Sequence, residues 1–590
     1  IAYEILRAGL PQTGQRIVPL FFEKSKWTSA SQLAVMKANG TCVTLDASLP
    51  IARLQTVMDL TSPQVIVTSA EQESRAREVA PPTARIIVIS DASVPTFEVP
   101  EDSCLPVVDP DTWLYVVFTS GSTGVPKGAI VSHANFASAI KYGQEPLRYS
   151  PETRTYDFSS YAFDASWLNV LYTLCGGGCL CVPSNYEIQN EPKEAVARRG
   201  ANSALMIPSV SRFMHGVDFK VINFGGEKLG RDEIDYWKDH AVLLHSYGPS
   251  ECTPIAIHTT LDPARERIVI GKALATRIWI VEPERGISLA AVGDIGELWI
   301  EGPTVGQGYL NEPEKTKASF VEDPQWLVQG CPGFPGHRGR LYRTGDLVRY
   351  EEDGSVEYIG RKDAQIKIRG QRVELEEIEH HVHDAIGKDV ASQVIVDIIR
   401  PAGSTEAALI AFIKLSKDGI VSGTPEAYAY AQELASSANR LLSATVPGYM
   451  IPNGYMIVDS IPNTASGKVD RGKLREAALA MRKEDLLRVD RIGRRAPETP
   501  NEVKLHAIVA RVLSWSGESF GMDNNFIQLG GDSISAMRLA SIARDEGIPL
   551  TVADILTKDR IADLLVTNSE ADLVDENEQS LFGLLDVPDL

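Results

Sequence analysis

The stretch LYVVFTSGSTGVPKG, Leu114 to Gly128, joins an apolar strand-like run to a turn rich in serine, threonine and glycine. Such a turn presents backbone N–H groups and hydroxyls to phosphate oxygens, and Lys127 supplies a positive charge. It is not a P-loop, because GxxxxGK[ST] counted from Gly121 requires glycine at 126 and serine or threonine at 128, where Pro126 and Gly128 stand. Taken alone, a flexible loop without a ligand explains it equally well.

Short β-branched runs alternate with helical stretches on both sides of this turn, as in ARIIVIS (84–90) and GELWIEG (296–302). The mixture predicts an α/β unit over residues 1–362. From Asp363 the pattern changes, since QIKIRGQRVEL (365–375) alternates apolar and polar residues around Gly370. That alternation predicts a hairpin followed by a helix, and thus a smaller α+β unit over 363–481.

A third unit is predicted over 499–568. Residues 482–498 are basic and lack a sustained apolar stripe, which indicates a linker. Thr499 and Glu502 then form a T-P-N-E capping box with proline at the first helical position, and the helical apolar spacing behind it predicts a small bundle. Residues 569–590 form an acidic tail, which we expect to lead to a further domain. Because the chain starts at Ile1, we expect a piece of a longer protein.

Composition narrows the classes of function. The 58 Lys and Arg residues face 78 Asp and Glu residues, and the resulting formal charge of −20 disfavours a nucleic-acid partner. No run of eighteen apolar residues occurs, so a soluble protein without a membrane span is expected. Seven cysteines without a signal-like start favour free thiols in a reducing, cytoplasmic location.

Two clusters could be mistaken for sites. Cys175, Cys179 and Cys181 lack a paired CxxC and a nearby histidine, which favours buried small apolar residues over a metal site. His380, His381 and His383 sit within the helical apolar pattern of Leu375, Ile378, Val382 and Ile386. That pattern favours a solvated helix face over a catalytic cluster.

The turn at Thr119–Gly128 is the first of seven motifs in a fixed order. The others are FDAS (163–166), GGE (225–227), YGPSE (247–251), YRTGD (342–346), GRKDAQIKIRGQRVE (360–374) and PNTASGKVDR (462–471). Each is weak alone, but the ordered set over residues 1–480 resembles the amino-acid-activating adenylation domains of fungal-type nonribosomal peptide synthetases. These are members of the adenylate-forming enzymes. LGGDSISAMRLA (529–540) is similar to the attachment site of peptidyl carrier domains.

The resemblance implies a large α/β adenylation subdomain, a small α+β C-terminal subdomain and a four-helix-bundle carrier domain. It implies ATP and Mg²⁺ for activation of an amino acid, and a 4′-phosphopantetheine arm for thioester formation. The implied partners are the amino acid, a phosphopantetheinyl transferase with coenzyme A, and neighbouring condensation or other synthetase domains.

Roles follow from matching the motifs. The loop Ser120–Lys127 would hold the β,γ-phosphates, Glu251 would ligate Mg²⁺, and Tyr247 would pack on adenine. Asp346 would accept hydrogen bonds from the ribose, with Arg361 close by. The matching nucleotide-site residues are Thr119, Ser120, Gly121, Ser122, Thr123, Gly124, Lys127, Gly225, Gly226, Glu227, Tyr247, Asp346 and Arg361.

Lys468 matches the family lysine that bridges the substrate carboxylate and the α-phosphate, a task that suits a flexible ammonium. Lys468 and Glu251 are the predicted catalytic residues. In the family the small subdomain rotates about a hinge, matched here by Asp363, between activation and thioester formation. Ser533 would carry the phosphopantetheine arm, because it follows a Gly-Gly-Asp turn at a predicted helix start.

The residues that match the family's selectivity pocket are Asp164, Ala165, Leu168, Leu205, Asn223, Gly225, Ser246, Pro254 and Ile255, with Lys468. An aspartate at 164 would pair with an α-ammonium group and so favours an α-amino acid. Small residues, apolar walls and one amide predict a large apolar substrate with one polar end, such as tryptophan or tyrosine. An acylated ornithine derivative also fits.

Some residues depart from the family pattern. Ser250 stands where threonine is commoner, and Thr44 and Ala47 lie in a variant segment, VTLDAS (43–48), that we expect outside the site. Two other functions stay open. An acyl- or aryl-CoA synthetase shares the activation chemistry but uses a diffusible thiol, and a catalytically inactive scaffold would only bind partners.

Overall fold

The computed structural model describes residues 1–11, 14–98, 104–121, 124–331, 333–363, 365–368, 371–400, 408–416, 420–463, 468–481, 495–516, 519–527 and 529–566. The chain divides into two compact units, Ile1–Leu486 and Leu487–Leu590. Most of the predicted linker (482–498) and the whole predicted tail (569–590) lie outside the described residues.

Two seven-stranded sheets form the centre of the first unit. The first is parallel except at one edge and has the spatial order Gly308–Tyr309, Lys127–Ser132, Trp113–Thr119, Thr41–Asp46, Ile17–Phe22, Val65–Ser69 and Arg85–Ile89. The second runs Lys272–Ala273, Ile257–Thr260, Val242–Tyr247, Val221–Phe224, Ser203–Met206, Arg154–Tyr156 and Cys179–Cys181. Strand Ile17–Phe22 is buried at every residue, as expected for a parallel strand covered on both faces. The α/β prediction is confirmed.

The α-helices described in the large subdomain are Ala2–Arg7, Lys26–Lys37, Ile51–Thr61, Glu73–Val79, His133–Gly143, Asp164–Cys175, Asn185–Asn190, Pro192–Arg199, Pro208–Ser211, Arg231–Trp237, Pro313–Ser319 and Gln325–Gln329. An antiparallel sheet follows, with strands Arg277–Val281, Gly296–Glu301, Phe320–Glu322, Arg340–Tyr350 and Val356–Arg361, beside the short pair Gly330–Cys331 and Phe334–Pro335. Its last strand leads directly into the small subdomain.

The small subdomain begins with the predicted hairpin. Strands Gln365–Ile368 and Gln371–Glu374 pair antiparallel, and helix Leu375–Ile386 follows at once, so both predictions are confirmed. The remaining elements are the sheet Ala391–Ile399, Ala408–Leu415 and Gly454–Ile457 and the helices Pro425–Thr445 and Arg471–Leu479. A core of its own, including Ile378, Val396 and Leu442, holds this subdomain together.

The second unit contains helices Pro500–Leu513, Ser533–Asp545 and Val552–Thr557 and the 3₁₀ helix Ile561–Leu565. The capping box at Thr499 is confirmed, because its hydroxyl accepts from Glu502 N while the Glu502 carboxylate accepts from Thr499 N. The fourth described element is a 3₁₀ helix, so a four-helix bundle is not confirmed. Residues 495–498 belong with this unit, since Arg495 binds Glu502 at 2.6 Å.

The histidine cluster and the cysteine cluster both contain exposed and more buried members. His380 lies exposed on helix Leu375–Ile386, whereas Nε2 of His383 lies 3.0 Å from the carbonyl of Ala391. The expectation of buried cysteines is wrong for Cys175 and Cys179, which are exposed, and holds for Cys181. Among the residues that the structure describes, every helix is too short or too polar to span a bilayer.

Candidate functional site

The side of the site that is predicted to hold phosphates is built around Glu251, on a 3₁₀ turn just after strand Val242–Tyr247. Its carboxylate is buried and accepts hydrogen bonds from Tyr309 at 2.6 Å and from Arg372 at 3.1 and 3.3 Å. Burial opposes ionisation, but Arg372, Lys127 and the Tyr309 hydroxyl together hold the pKa of Glu251 at about 2. The group is therefore a permanent anion at neutral pH.

Lys127 stands opposite, at the start of strand Lys127–Ser132. It is buried, and its Nζ lies 3.6 Å from Glu374 of the hairpin. Burial, reinforced by Arg372, lowers the pKa of Lys127. A desolvated ammonium can bind a polyanion, and a buried carboxylate next to it can bind the cation that accompanies the polyanion.

The loop before Lys127 offers further donors. The hydroxyl of Ser120 donates to Arg372 O at 2.6 Å and accepts from Glu374 N, and the N–H of Gly121 donates to Glu377 at 3.1 Å. The Thr119 hydroxyl is buried without a partner in the described part of the chain. Gly124 has φ +80°. The predicted residues Ser122 and Thr123 lie outside the described residues.

On the side that is predicted to hold the nucleoside, the structure brings three predicted residues together. The Tyr247 hydroxyl donates to Asp346, and Nη1 of Arg361 binds the other oxygen of that carboxylate at 3.0 Å. Burial, together with Asp346, raises the pKa of Tyr247, so its hydroxyl stays protonated. Arg361 also grips both oxygens of Asp363, the predicted hinge, at 2.9 and 2.6 Å.

The GGE motif lies at the end of strand Val221–Phe224. Gly226 adopts φ +81°, a left-handed conformation that favours glycine. The carboxylate of Glu227 accepts from Ser209 N at 3.2 Å, which ties the motif to helix Pro208–Ser211. Gly225 lies under the next strand, because a Cβ there would come within 3.1 Å of Ser246 O.

Asp164 opens helix Asp164–Cys175, on the side predicted to hold the amino acid. Burial raises its pKa, although the Ser250 hydroxyl and, more weakly, Lys367 of the hairpin favour the charged form. The variant Ser250 thus keeps the hydroxyl role. A carboxylate whose pKa is raised by burial lacks a full counter-charge, which a substrate ammonium would supply.

The pocket residues come together on neighbouring strands. Leu205 and Asn223 are direct partners in the parallel pairing of Ser203–Met206 with Val221–Phe224. The amide of Asn223 is 5% exposed, and neither of its polar atoms has a partner in the described residues. Ser246, one strand further, lies 3.3 Å from His258. Leu168, Ile255 and Leu205 share one apolar cluster, while Ala165 is half-buried and Pro254 buried.

The loop 159–161, just before Asp164, is held by contacts that the sequence interpretation did not predict. Lys24 forms a buried ion pair with Asp157 at 2.9 Å and donates to Ser159 O at 2.6 Å. Thr44 donates to Tyr161 O at 2.5 Å, so the VTLDAS segment supports the backbone of the loop before Asp164. Its expected place outside the site stays a prediction.

Lys468 and Ser533 complete the predicted set. Lys468 is exposed in the small subdomain, beside the Asn463–Val469 bridge. Ser533 is exposed as the first residue of helix Ser533–Asp545, whose cap is Asp532. Ser535, two residues later, is buried, and its hydroxyl donates to Asp532 at 2.7 Å. The two serines of the motif are therefore chemically distinct.

Comparison with known families gives two matches. Residues 3–310 match the model described as AMP-binding enzyme, and residues 503–565 match the model described as phosphopantetheine attachment site. The first match spans more than half of the chain and contains Lys127, Asp164 and Glu251, and the second contains Ser533.

Curated fungal proteins are similar over nearly the whole chain. The nonribosomal peptide synthetase ungA of Aspergillus violaceofuscus is 42% identical over 93% of the chain, and the nonribosomal peptide synthetase SIDD of Beauveria bassiana is 40% identical over 96%. The chain spans 6% and 31% of their respective lengths. A solved NRPS protein with adenylation and PCP domains matches with TM-score 0.71 at 23% identity, over 96% of this chain and 90% of that one.

Proposed function

The chain belongs to the AMP-binding enzymes, as an adenylate-forming ligase domain followed by a phosphopantetheine attachment domain, and we propose that it activates an α-amino acid and loads it on its own carrier domain. ATP is the nucleotide of this family. In the proposed first reaction a carboxylate oxygen of the amino acid bonds to the α-phosphorus of ATP. The bond from that phosphorus to the bridging oxygen breaks, and pyrophosphate leaves.

The ionised, buried Glu251 beside Lys127 is the observation that carries this proposal. One carboxylate together with substrate phosphates is the usual donor set for Mg²⁺, and the held charge of Glu251 fits that ion. When bound, Mg²⁺ would neutralise phosphate charge. Lys127 and the N–H groups of its loop would orient the β,γ-phosphates, while Tyr247 and Asp346 bind the nucleoside.

Lys468 is proposed to neutralise the carboxylate and α-phosphate as they join. It lies in the small subdomain, which is linked to the large one through Asp363, so a rotation there would move it. We propose that the arrangement described above, with the hairpin Gln365–Glu374 on the site, belongs to the thioester stage.

In the second reaction a thiol sulfur bonds to the acyl carbon, the acyl–phosphate oxygen bond breaks, AMP leaves and the thiol proton passes to solvent. The attached phosphopantetheine arm supplies that thiol. Ser533 fits the arm because its hydroxyl is exposed at a helix start, whereas Ser535 is buried and bonded to Asp532. The partners we propose are a phosphopantetheinyl transferase with coenzyme A and neighbouring synthetase domains.

For the substrate we propose a large, mainly apolar amino acid with one polar end, such as tryptophan or tyrosine. Support comes from the apolar walls of Leu168, Leu205 and Ile255 and from the amide of Asn223, which is buried with both polar atoms unpartnered within the described residues. A substrate group that donates and accepts would satisfy that amide.

The test is amino-acid-dependent exchange of labelled pyrophosphate into ATP across the twenty amino acids and acylated ornithine, followed by mass measurement after incubation with coenzyme A and a transferase. We expect exchange with an aromatic amino acid and a mass gain that Ser533→Ala abolishes. Ser535→Ala is the matched control and should still gain mass. Exchange without any mass gain would favour an acyl- or aryl-CoA synthetase, and no exchange at all would favour an inactive scaffold.

A further inference from the structure

The row of pocket residues continues on a fourth strand that the sequence interpretation did not include. The next strand, Ile257–Thr260, is antiparallel and places His258 directly opposite Ser246. Directly opposed residues of paired strands lie on the same face of a sheet. Ser246 shares that face with Asn223, since Asn223 pairs with Leu244 and side chains repeat every second residue. His258 therefore stands on the sheet face that is proposed to line the pocket.

Ser246 and His258 are in contact through their side chains. Ser246 Oγ lies 3.3 Å from Nδ1 of His258, and Ser246 is buried. The imidazole also hydrogen-bonds to the carbonyl of Pro146, an oxygen that can only accept. Burial lowers the pKa of His258 to about 4, so the ring is neutral at neutral pH.

These contacts fix the direction of the hydrogen bond between the two side chains. A neutral imidazole has one N–H donor and one acceptor nitrogen. The Pro146 carbonyl takes the donor, which leaves Nδ1 of His258 as the acceptor for the hydroxyl proton of Ser246. A hydroxyl whose proton is used in this way offers only lone pairs to its other neighbours. The oxygen that Ser246 presents to a substrate is therefore an acceptor.

We propose that His258 is a positioning residue that keeps Ser246 a hydrogen-bond acceptor, and that the substrate side chain ends in a donor, an indole N–H or a phenol O–H. The inference rests on the proposed function and deepens it, because apolar walls and one amide do not distinguish a donor from an acceptor. The amide of Asn223 can turn either its N–H groups or its oxygen toward a ligand. Ser246 lacks that freedom while His258 holds its proton.

Discrimination follows from the burial of this oxygen. A substrate that ends in an apolar atom or in an acceptor would leave Ser246 Oγ without a donor, and a buried polar atom without a partner is costly. A site built around a substrate N–H or O–H also rejects analogues that lack it more strongly than an apolar pocket rejects a change in size.

The experiment compares amino acids of nearly equal shape with and without the donor, using kcat/KM for pyrophosphate exchange in the full chain. The pairs are tyrosine with para-fluorophenylalanine and tryptophan with benzothienylalanine. In the parent chain we expect the donor-bearing member of the accepted pair to be favoured about tenfold, the value of one buried hydrogen bond.

Substitution of His258 tests its role. In His258→Leu the preference should fall about threefold or more, because the Ser246 hydroxyl can then turn its proton toward the substrate. His258→Phe should do the same, so the test does not depend on one variant folding. His258→Asn, whose amide oxygen can replace Nδ1 as the acceptor, should restore the preference. A merely structural role would lower kcat/KM alike for both members of a pair and leave their ratio unchanged.

Two further variants show whether His258 acts through Ser246. Ser246→Ala should lower the preference, and adding His258→Leu to it should change the ratio no further, since the two residues act as one unit. Thr260→Leu is the matched control. Thr260 lies two residues beyond His258 on the same strand and face, with an exposed side chain, and its variant should keep the parental ratio.

The outcomes separate this inference from the proposed function. Unchanged ratios in both His258→Leu and His258→Phe would overturn the inference alone. A parent chain that prefers the members without the donor, or that exchanges only with amino acids outside both pairs, would also overturn it while the activation reaction stands. A parent chain without amino-acid-dependent exchange would overturn the proposed function and this inference with it.

Discussion

The side of the cleft that is proposed to hold phosphates and the side that is proposed to hold the amino acid differ in how their polar groups are paired. On the phosphate side Glu251 is paired with Arg372, and Lys127 lies beside Glu374. On the amino-acid side the Asn223 amide has no partner among the described residues, and burial raises the pKa of Asp164. The groups proposed to contact the leaving phosphates are thus paired within the chain, whereas the Asn223 amide, which is proposed to contact the substrate, is not.

The largest expected effect comes from the amino-acid side. Asp164→Ala should lower amino-acid-dependent exchange about 1000-fold, because the substrate ammonium would be buried without a counter-charge. The measurement is the exchange rate of labelled pyrophosphate at saturating ATP. Asp164→Asn, which keeps the size but not the charge, should lose nearly as much. Unchanged exchange in Asp164→Ala would show that the pocket is elsewhere.

The predicted hinge, Asp363, is tested by a variant that separates pyrophosphate exchange from loading of the carrier domain. Asp363→Pro should keep exchange but lose loading of Ser533, because proline restricts the backbone rotation that brings the hairpin onto the phosphate side. Loading is read as the mass of the thioester. Asp363→Ala also loses the contact with Arg361 but keeps a flexible backbone, and it should load. Equal loss of exchange and loading in the proline variant would contradict the division of labour.

Substitution of the exposed Lys468 tests whether a second, mobile cation acts in adenylate formation. Lys468→Ala should slow adenylate formation about 100-fold, the usual cost of one charge-stabilising group. Lys473, also exposed in the small subdomain and 3.8 Å from Asp470, provides the control, and Lys473→Ala should retain the parental rate. Adenylate formation at the parental rate in Lys468→Ala would remove this residue from the mechanism.

The smallest effect is expected for Asn223, whose amide is proposed to contact the substrate side chain. Asn223→Ala should lower kcat/KM about tenfold for an amino acid with a polar end, because one buried hydrogen bond is lost. For phenylalanine, which cannot use that bond, kcat/KM should stay within about twofold. Measured exchange rates for tyrosine and phenylalanine give the ratio. An equal loss for both would assign Asn223 a structural role instead.

Much of this architecture could be predicted from local pattern. The alternation around Gly370, the capping box at Thr499 and the helix start at Ser533 are short-range features, and the structure has all the predicted elements around them. The sequence interpretation missed Glu377, which lies 256 residues from Gly121 along the chain. In the sequence, its carboxylate is one more charge on an amphipathic helix. Its contacts with the large subdomain become visible only in the structure.

The contacts of Thr44 and Lys24 were not predicted for a related reason. They are made to backbone carbonyls of the loop 159–161, Tyr161 O and Ser159 O, and a carbonyl acceptor leaves no trace in residue identity. Cys175 ends helix Asp164–Cys175, and Cys179 lies in the edge strand Cys179–Cys181; their exposure depends on what covers these places, which composition does not report. Tertiary placement, rather than residue type, decided each of these cases.

The register between strands Ser203–Met206 and Val221–Phe224 has a practical consequence for anyone wishing to recode the enzyme. Leu205 and Asn223 project from paired backbones whose spacing is set by the inter-strand ladder and not by the side chains themselves. Exchanging these two residues together would therefore change the lining of the proposed pocket while the backbone around it stays in place. Redesign of substrate choice becomes a local problem of shape and polarity.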